Sequence, residues 1–166
     1  MSQTIKSGNY ILEVLRKRGI LSPVSEKLIL GFMKKWSVEA YRAVIETHCI
    51  EESRLADVLA EEFLLPRVAR LRSRSIDVSA LSYLSYADAM AFDMMPYAFD
   101  ADEKLLVAIA DPTQRDCVDQ WIQSCGRPVT LSVAERSEIE SSIQRHYPLS
   151  LQLPNTMASW SKGPCP

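Results

Sequence analysis

The residues with the strongest claim to chemistry stand where the apolar run LLVAIA, residues 105–110, meets Asp111-Pro112. A carboxylate at the end of a buried strand can serve as a catalytic acid or base, form part of a phosphate site, or cap the helix that follows. Pro112 in a first helical turn and Gln114 at its third position suit the cap, because proline lacks a donor that a helix start leaves unused. A catalytic aspartate needs a companion acid, base or metal ligand, and spacing places none beside it. His48 and His146 are the two imidazoles, with no Ser or Cys nucleophile in a recognisable frame. Cys49, Cys117, Cys125 and Cys165 form no CxxC pair and no zinc-type spacing, so reduced thiols and no metal are expected. The five glycines build no GxxxxGK[ST] loop to wrap a triphosphate. No enzymatic activity is expected.

Cations offer a different chemistry. The net charge of −2 argues against a general nucleic-acid binder, whose affinity comes from neutralising phosphates. The charge is uneven, however: residues 1–50 hold eight Lys/Arg against four Asp/Glu, and the remainder eleven against seventeen. In the basic part, Lys17, Arg18, Lys34 and Lys35 lie near Trp36, and an aromatic beside cations is a composition favoured at interface hot spots. These five residues are the candidate partner-docking surface. The alternative for Trp36 is packing between helices, and basic residues at helix ends also complement the backbone dipole.

The elements that must position these groups begin with helices. NYILEVLRKRGIL places Ile11, Leu12, Val14 and Leu15 on one face and stops at Gly19. Ser22-Pro23 starts a second helix, with Ser as cap, carrying Leu28, Leu30, Phe32 and Met33 up to Trp36. A third helix is expected over 37–47 and a fourth from near Glu51 to Pro66. The grammar repeats: a 24-residue unit from Tyr10 to Met33, five intervening residues, and a second unit from Glu39 to Glu62. Beyond Pro66 the pattern predicts a short edge strand or linker over 67–75, a helix over 79–92, and a hairpin turning at Asp100–Glu103 into a buried strand, 104–110. A helix over 112–125, a strand over 128–134 and a last helix ending near Tyr147 complete it. The fold class is α+β: a helical subdomain of two hairpins (1–66), a small α/β subdomain whose short sheet is packed by helices (67–148), and a disordered tail (149–166).

The pieces LADVLAEEFLLPRVAR, IDVSALSYLSYADAMAFDMMPY, LLVAIADP and PVTLSVAERSEIESSIQRHY, in this order, resemble the N-terminal domain of type II secretion and type IV pilus assembly ATPases, also described as the MshE N-terminal domain. The resemblance runs from Tyr10 to Tyr147 and implies a cytoplasmic adaptor docking to an inner-membrane secretion or pilus platform protein, peripheral to the membrane through that partner. No nucleic acid and no direct membrane insertion are expected, since no segment approaches the roughly 20 apolar residues that span a bilayer.

Some relatives bind cyclic di-GMP through two such units, with Arg first, Gly third and Gln last in each. Here Tyr10, Leu12 and Met33 fill those places in the first unit, and Glu39, Tyr41 and Glu62 in the second. A carboxylate and bulk facing a dianion imply rejection, so no cofactor is expected. The alternative is a cyclic di-GMP-binding regulatory domain with a non-standard cradle drawn from Arg16, Arg18 and Arg42, extended by Lys17, Lys34 and Lys35. A third reading takes the chain as a segment of a larger ATPase or glycosyltransferase.

Overall fold

The computed structural model describes residues 9–147, so the expected tail, 149–166, lies outside the described residues, as does Cys165. The described residues divide into two compact units between Val58 and Leu59. The fold is α+β, with eight α-helices and a three-stranded sheet among the described residues.

The first unit is helical. Its α1 (Tyr10–Lys17) buries Ile11, Leu12, Val14 and Leu15 on one stripe, and Gly19 turns the chain through the left-handed region at φ 67°. Ser22 caps α2 (Pro23–Trp36) by accepting the Ser25 amide hydrogen at 3.1 Å, as the Ser-Pro signal predicts. Ser37 ends α2 rather than opening the next helix: at φ 52° it adopts the left-handed C-cap, and its amide donates to Met33 O. The third helix, α3 (Ala40–Glu46), is therefore shorter than expected. It packs against α1 and α2 and buries Ala40, Tyr41, Ala43, Val44 and Ile45. The unit boundary falls inside α4 (Glu52–Glu62).

The second unit forms around β2 (Leu105–Ile109), the central strand, whose apolar run is buried as its composition requires. It pairs antiparallel with β1 (Met94–Phe99) and in parallel with β3 (Val129–Val133). Pro96 is tolerated because β1 is an edge strand whose register shifts between Pro96 and Ala98. Asp100 Oδ1 shapes the hairpin turn by accepting the amides of Asp102 and Lys104, each at 2.9 Å.

The single helix expected over 79–92 is two: α5 (Val78–Leu81) and α6 (Tyr86–Phe92). Ser85 makes the break, accepting the Asp88 amide at 3.1 Å and starting a new helix. Likewise the segment 67–75 makes one parallel bridge, Arg67 to Val133, and then a 3-10 turn at Leu71–Ser73. The crossover between β2 and β3 is α7 (Arg115–Cys125), and α8 (Arg136–His146) packs on β1, β2, α6 and the 3-10 turn. Met94, Met95, Leu105, Val107, Ile109, Ile139 and Ile143 form the centre of this core.

Candidate functional site

Asp111 lies at the end of β2, only 5% exposed, and its role is structural in a different way from the expected cap. Its Oδ1 accepts the Thr113 amide at 3.0 Å and the Thr113 hydroxyl at 2.6 Å, and Oδ2 takes the Gln114 side-chain amide at 3.5 Å. The carboxylate closes a turn over its own next residues, an arrangement open to Asp wherever the chain need not yet be helical. Helix α7 begins later, at Arg115, with no side-chain cap from Gln114. Cys49 and Cys125 are free thiols. Among the described residues no group of three or more His, Cys, Asp or Glu is arranged to hold a metal ion.

The docking candidates occupy two helix ends in the first unit. Lys17 closes α1, Arg18 is its C-cap, and Lys34, Lys35 and Trp36 form the last turn of α2. All five are exposed. Trp36 does not fill the helical core: it is 58% exposed, its ring lies 6.2 Å from that of Phe32, and the Lys35 ammonium sits 5.1 Å above it. A cation over an indole is worth about 0.5–1 kcal/mol at such a site. It also holds two long side chains in one arrangement.

Helix α2 buries Ile29 alone among its residues. Val24 at 77%, Leu28 at 53% and Leu30 at 41% stand exposed beside Lys27, Lys34 and Lys35, extending the surface beyond the expected residues. The sequence gives α2 Leu28 and Leu30 among its apolar residues without assigning them a face. The missed signal is spacing: Ser25, Ile29, Phe32 and Met33 already complete one stripe at intervals of three and four, leaving the other apolar residues without a core to face.

The alternative arginine cradle is engaged elsewhere. Arg16 is ion-paired to Glu26, and that hydrogen bond, followed by charge attraction, pushes the carboxyl below its ordinary range and raises the guanidinium. Arg42 pairs with Glu46 one turn along α3 at 3.6 Å. In the two 24-residue repeats, Leu12 is 1% and Tyr41 7% exposed, so both side chains fill the helical core instead of opening backbone to a ligand. Glu39 is exposed at the start of α3.

A family model described as the MshEN domain matches residues 63–153, more than half of the chain. The structure of MshE with cdg (c-di-GMP) superposes with a TM-score of 0.65 at 19% identity, covering 82% of this chain and 98% of that one. The N-terminal domain of XpsE superposes with a TM-score of 0.65 at 23% identity, covering 89% of this chain and 100% of that one. At these identities the superpositions show the shared fold. No curated protein matches the chain.

Proposed function

The chain belongs to the MshEN domain family, and on that premise we propose that it is a non-catalytic docking module of a secretion or pilus-assembly machine. It engages the cytoplasmic part of an inner-membrane platform protein through the helical segment 9–66. The observation that carries this reading is the exposed indole of Trp36 beneath the Lys35 ammonium, continuous with exposed Val24 and Leu28 on α2. Aromatic and basic groups held together at the end of an apolar face supply both a desolvating anchor and charge steering toward an acidic partner. No helix among the described residues is long and apolar enough to cross a membrane.

The second reading is a c-di-GMP sensor, favoured by the fold shared with MshE, which was solved with cdg. It ranks lower because Arg16 and Arg42 are paired with carboxylates and Leu12 and Tyr41 are buried.

Affinity capture with the purified cytoplasmic domain of the platform protein tests the leading reading. Wild type is retained, and Trp36→Ala weakens binding by about 2 kcal/mol or more, roughly thirtyfold. Retention of Trp36→Ala and a Lys34→Glu, Lys35→Glu double variant at wild-type affinity would refute the assignment of this face.

A further inference from the structure

The surface of the second unit has an open cavity of about 380 Å³ lined by Ser79, Ser82, Tyr83, Phe99, Glu103 and Arg127, of which Ser79, Ser82 and Glu103 are exposed. Four separate segments build it: α5 and the turn after it, the end of β1, the hairpin turn, and the loop from α7 to β3. Its volume is at the lower end for small-molecule sites, roughly 300–1,000 Å³, which suits a compact ligand rather than a dinucleotide.

The chemistry of the walls is specific. The guanidinium of Arg127 packs against two rings, 4.8 Å from the centre of Phe99 and 5.1 Å from that of Tyr83. The rings themselves meet edge to face, 6.0 Å apart at 78°, so the cation is held in a rigid corner. Arg16, Arg42, Arg67, Arg72, Arg115 and Arg136 each have a carboxylate partner. Arg127 makes no ion pair among the described residues, and donates from Nη1 to the Glu103 carbonyl at 3.4 Å. The two rings lie to one side of the guanidinium, and its donors besides the one given to Glu103 suit a planar anion such as a carboxylate.

The serines present the opposite polarity. Ser79 donates its hydroxyl proton to Asp77 Oδ1 at 2.6 Å, and Ser82 donates to the Ser79 carbonyl at 2.7 Å. Both hydroxyl protons are committed, so the oxygens offer acceptance only. Glu103 adds a carboxylate, on a backbone at φ 60° that a non-glycine residue adopts at a cost of about 1 kcal/mol or more. The lining therefore combines hydrogen-bond acceptors and a carboxylate, which favour a cation, with a donating guanidinium, which favours an anion.

We propose that this cavity binds a small zwitterion of the free amino-acid class, its carboxylate on Arg127 and its ammonium toward Ser79, Ser82 and Glu103, with its side chain against Tyr83 and Phe99. The site is independent of the docking face and stands or falls without it.

The test is a titration of the isotope-labelled chain, followed by amide chemical shifts, with free L-amino acids one at a time. N-acetyl and methyl-ester forms of any that bind serve as the single-charge controls. The expected result is saturable shifts at Ser82, Tyr83, Glu103 and Arg127 for at least one free amino acid, and none with either blocked form. Arg127→Lys, which keeps the charge and loses the planar fork, weakens binding about tenfold; Glu103→Gln does so without touching the aromatic corner. Circular dichroism verifies that both variants are folded. Absence of shifts with all the free amino acids, equal binding of a blocked form, or undiminished affinity in both folded variants overturns the proposal.

Discussion

Gly19 and His48 turn the chain through the left-handed region at the same place in the two tandem units, with φ 67° and 49°. Each follows the first helix of its unit, and the flanking burial matches pairwise: Leu12 with Tyr41, Leu15 with Val44, and Leu21 with Ile50 are all buried. The repetition is thus structural as well as a matter of length. Glycine occupies this backbone region without a Cβ penalty, whereas histidine bears a steric cost there.

His48→Gly is therefore expected to stabilise the chain by about 0.5–1 kcal/mol, since His48 is exposed and little packing is lost. Gly19→Ala should destabilise it by about 1 kcal/mol from backbone strain alone, because an added Cβ meets nothing within 4 Å. Urea unfolding of both variants measures the pair. Equal effects of the same sign would show that the two turns are not energetically equivalent.

How much of this was legible in the sequence depended on whether a local signal had one meaning. The short apolar run at Leu105–Ile109 between turn signals favours a buried strand, and Ser22-Pro23 ahead of an apolar helical pattern favours a helix start, so both were readable. Ser37, Ser85 and Asp111 were ambiguous because small polar residues serve as N-caps, left-handed C-caps and turn formers alike, and tertiary packing selects among these. The exposed position of Trp36 followed from which stripe of α2 meets α3, a fact absent from helical period. The cavity around Arg127 was invisible for a stronger reason: its residues come from four segments with no motif in any of them.

A half-buried tie holds the start of α8 to the turn before β1. Arg136 Nε donates to Asp93 Oδ2 at 2.9 Å, with the two side chains 21% and 22% exposed. Partial exposure moderates the attraction, so Arg136→Ala should cost about 1–2 kcal/mol, more than a surface pair and less than a fully buried one. Asp93→Asn should cost less than Arg136→Ala, because the amide oxygen still accepts the hydrogen bond. Chemical denaturation ranks them, and an Arg136→Ala cost within error of zero would refute the tie.

His146 gives a pH dependence of definite sign. Burial of its ring, followed by repulsion from Arg145, lowers its pKa below the ordinary 6.5, and its Nε2 is buried without a hydrogen-bond partner among the described residues. The folded state therefore favours the neutral ring. Below pH 6.5 the unfolded chain takes up a proton before the folded one does, so stability is full above that value and falls as the pH drops through the folded pKa. His146→Gln should flatten the stability profile in that window while leaving carboxylate-linked losses at lower pH intact. An unchanged slope just below 6.5 in the variant would remove His146 as the cause.

The last prediction separates the two functional readings. Calorimetry with c-di-GMP should show no binding to the wild-type chain, because Glu39 presents a carboxylate and Leu12 and Tyr41 fill the core at 1% and 7% exposure. Glu39→Arg should not restore binding, since it changes charge while leaving Tyr41 in place. Tyr41→Gly opens the backbone, yet removing a buried aromatic costs about 3–5 kcal/mol, a large part of a domain's whole stability. Recovery of the site thus requires compensation elsewhere in the helical core, and no single substitution supplies it. Micromolar binding by the wild type that disappears on Arg18→Ala or Arg42→Ala would reverse the ranking, placing the basic helix ends in contact with nucleotide instead of a protein partner.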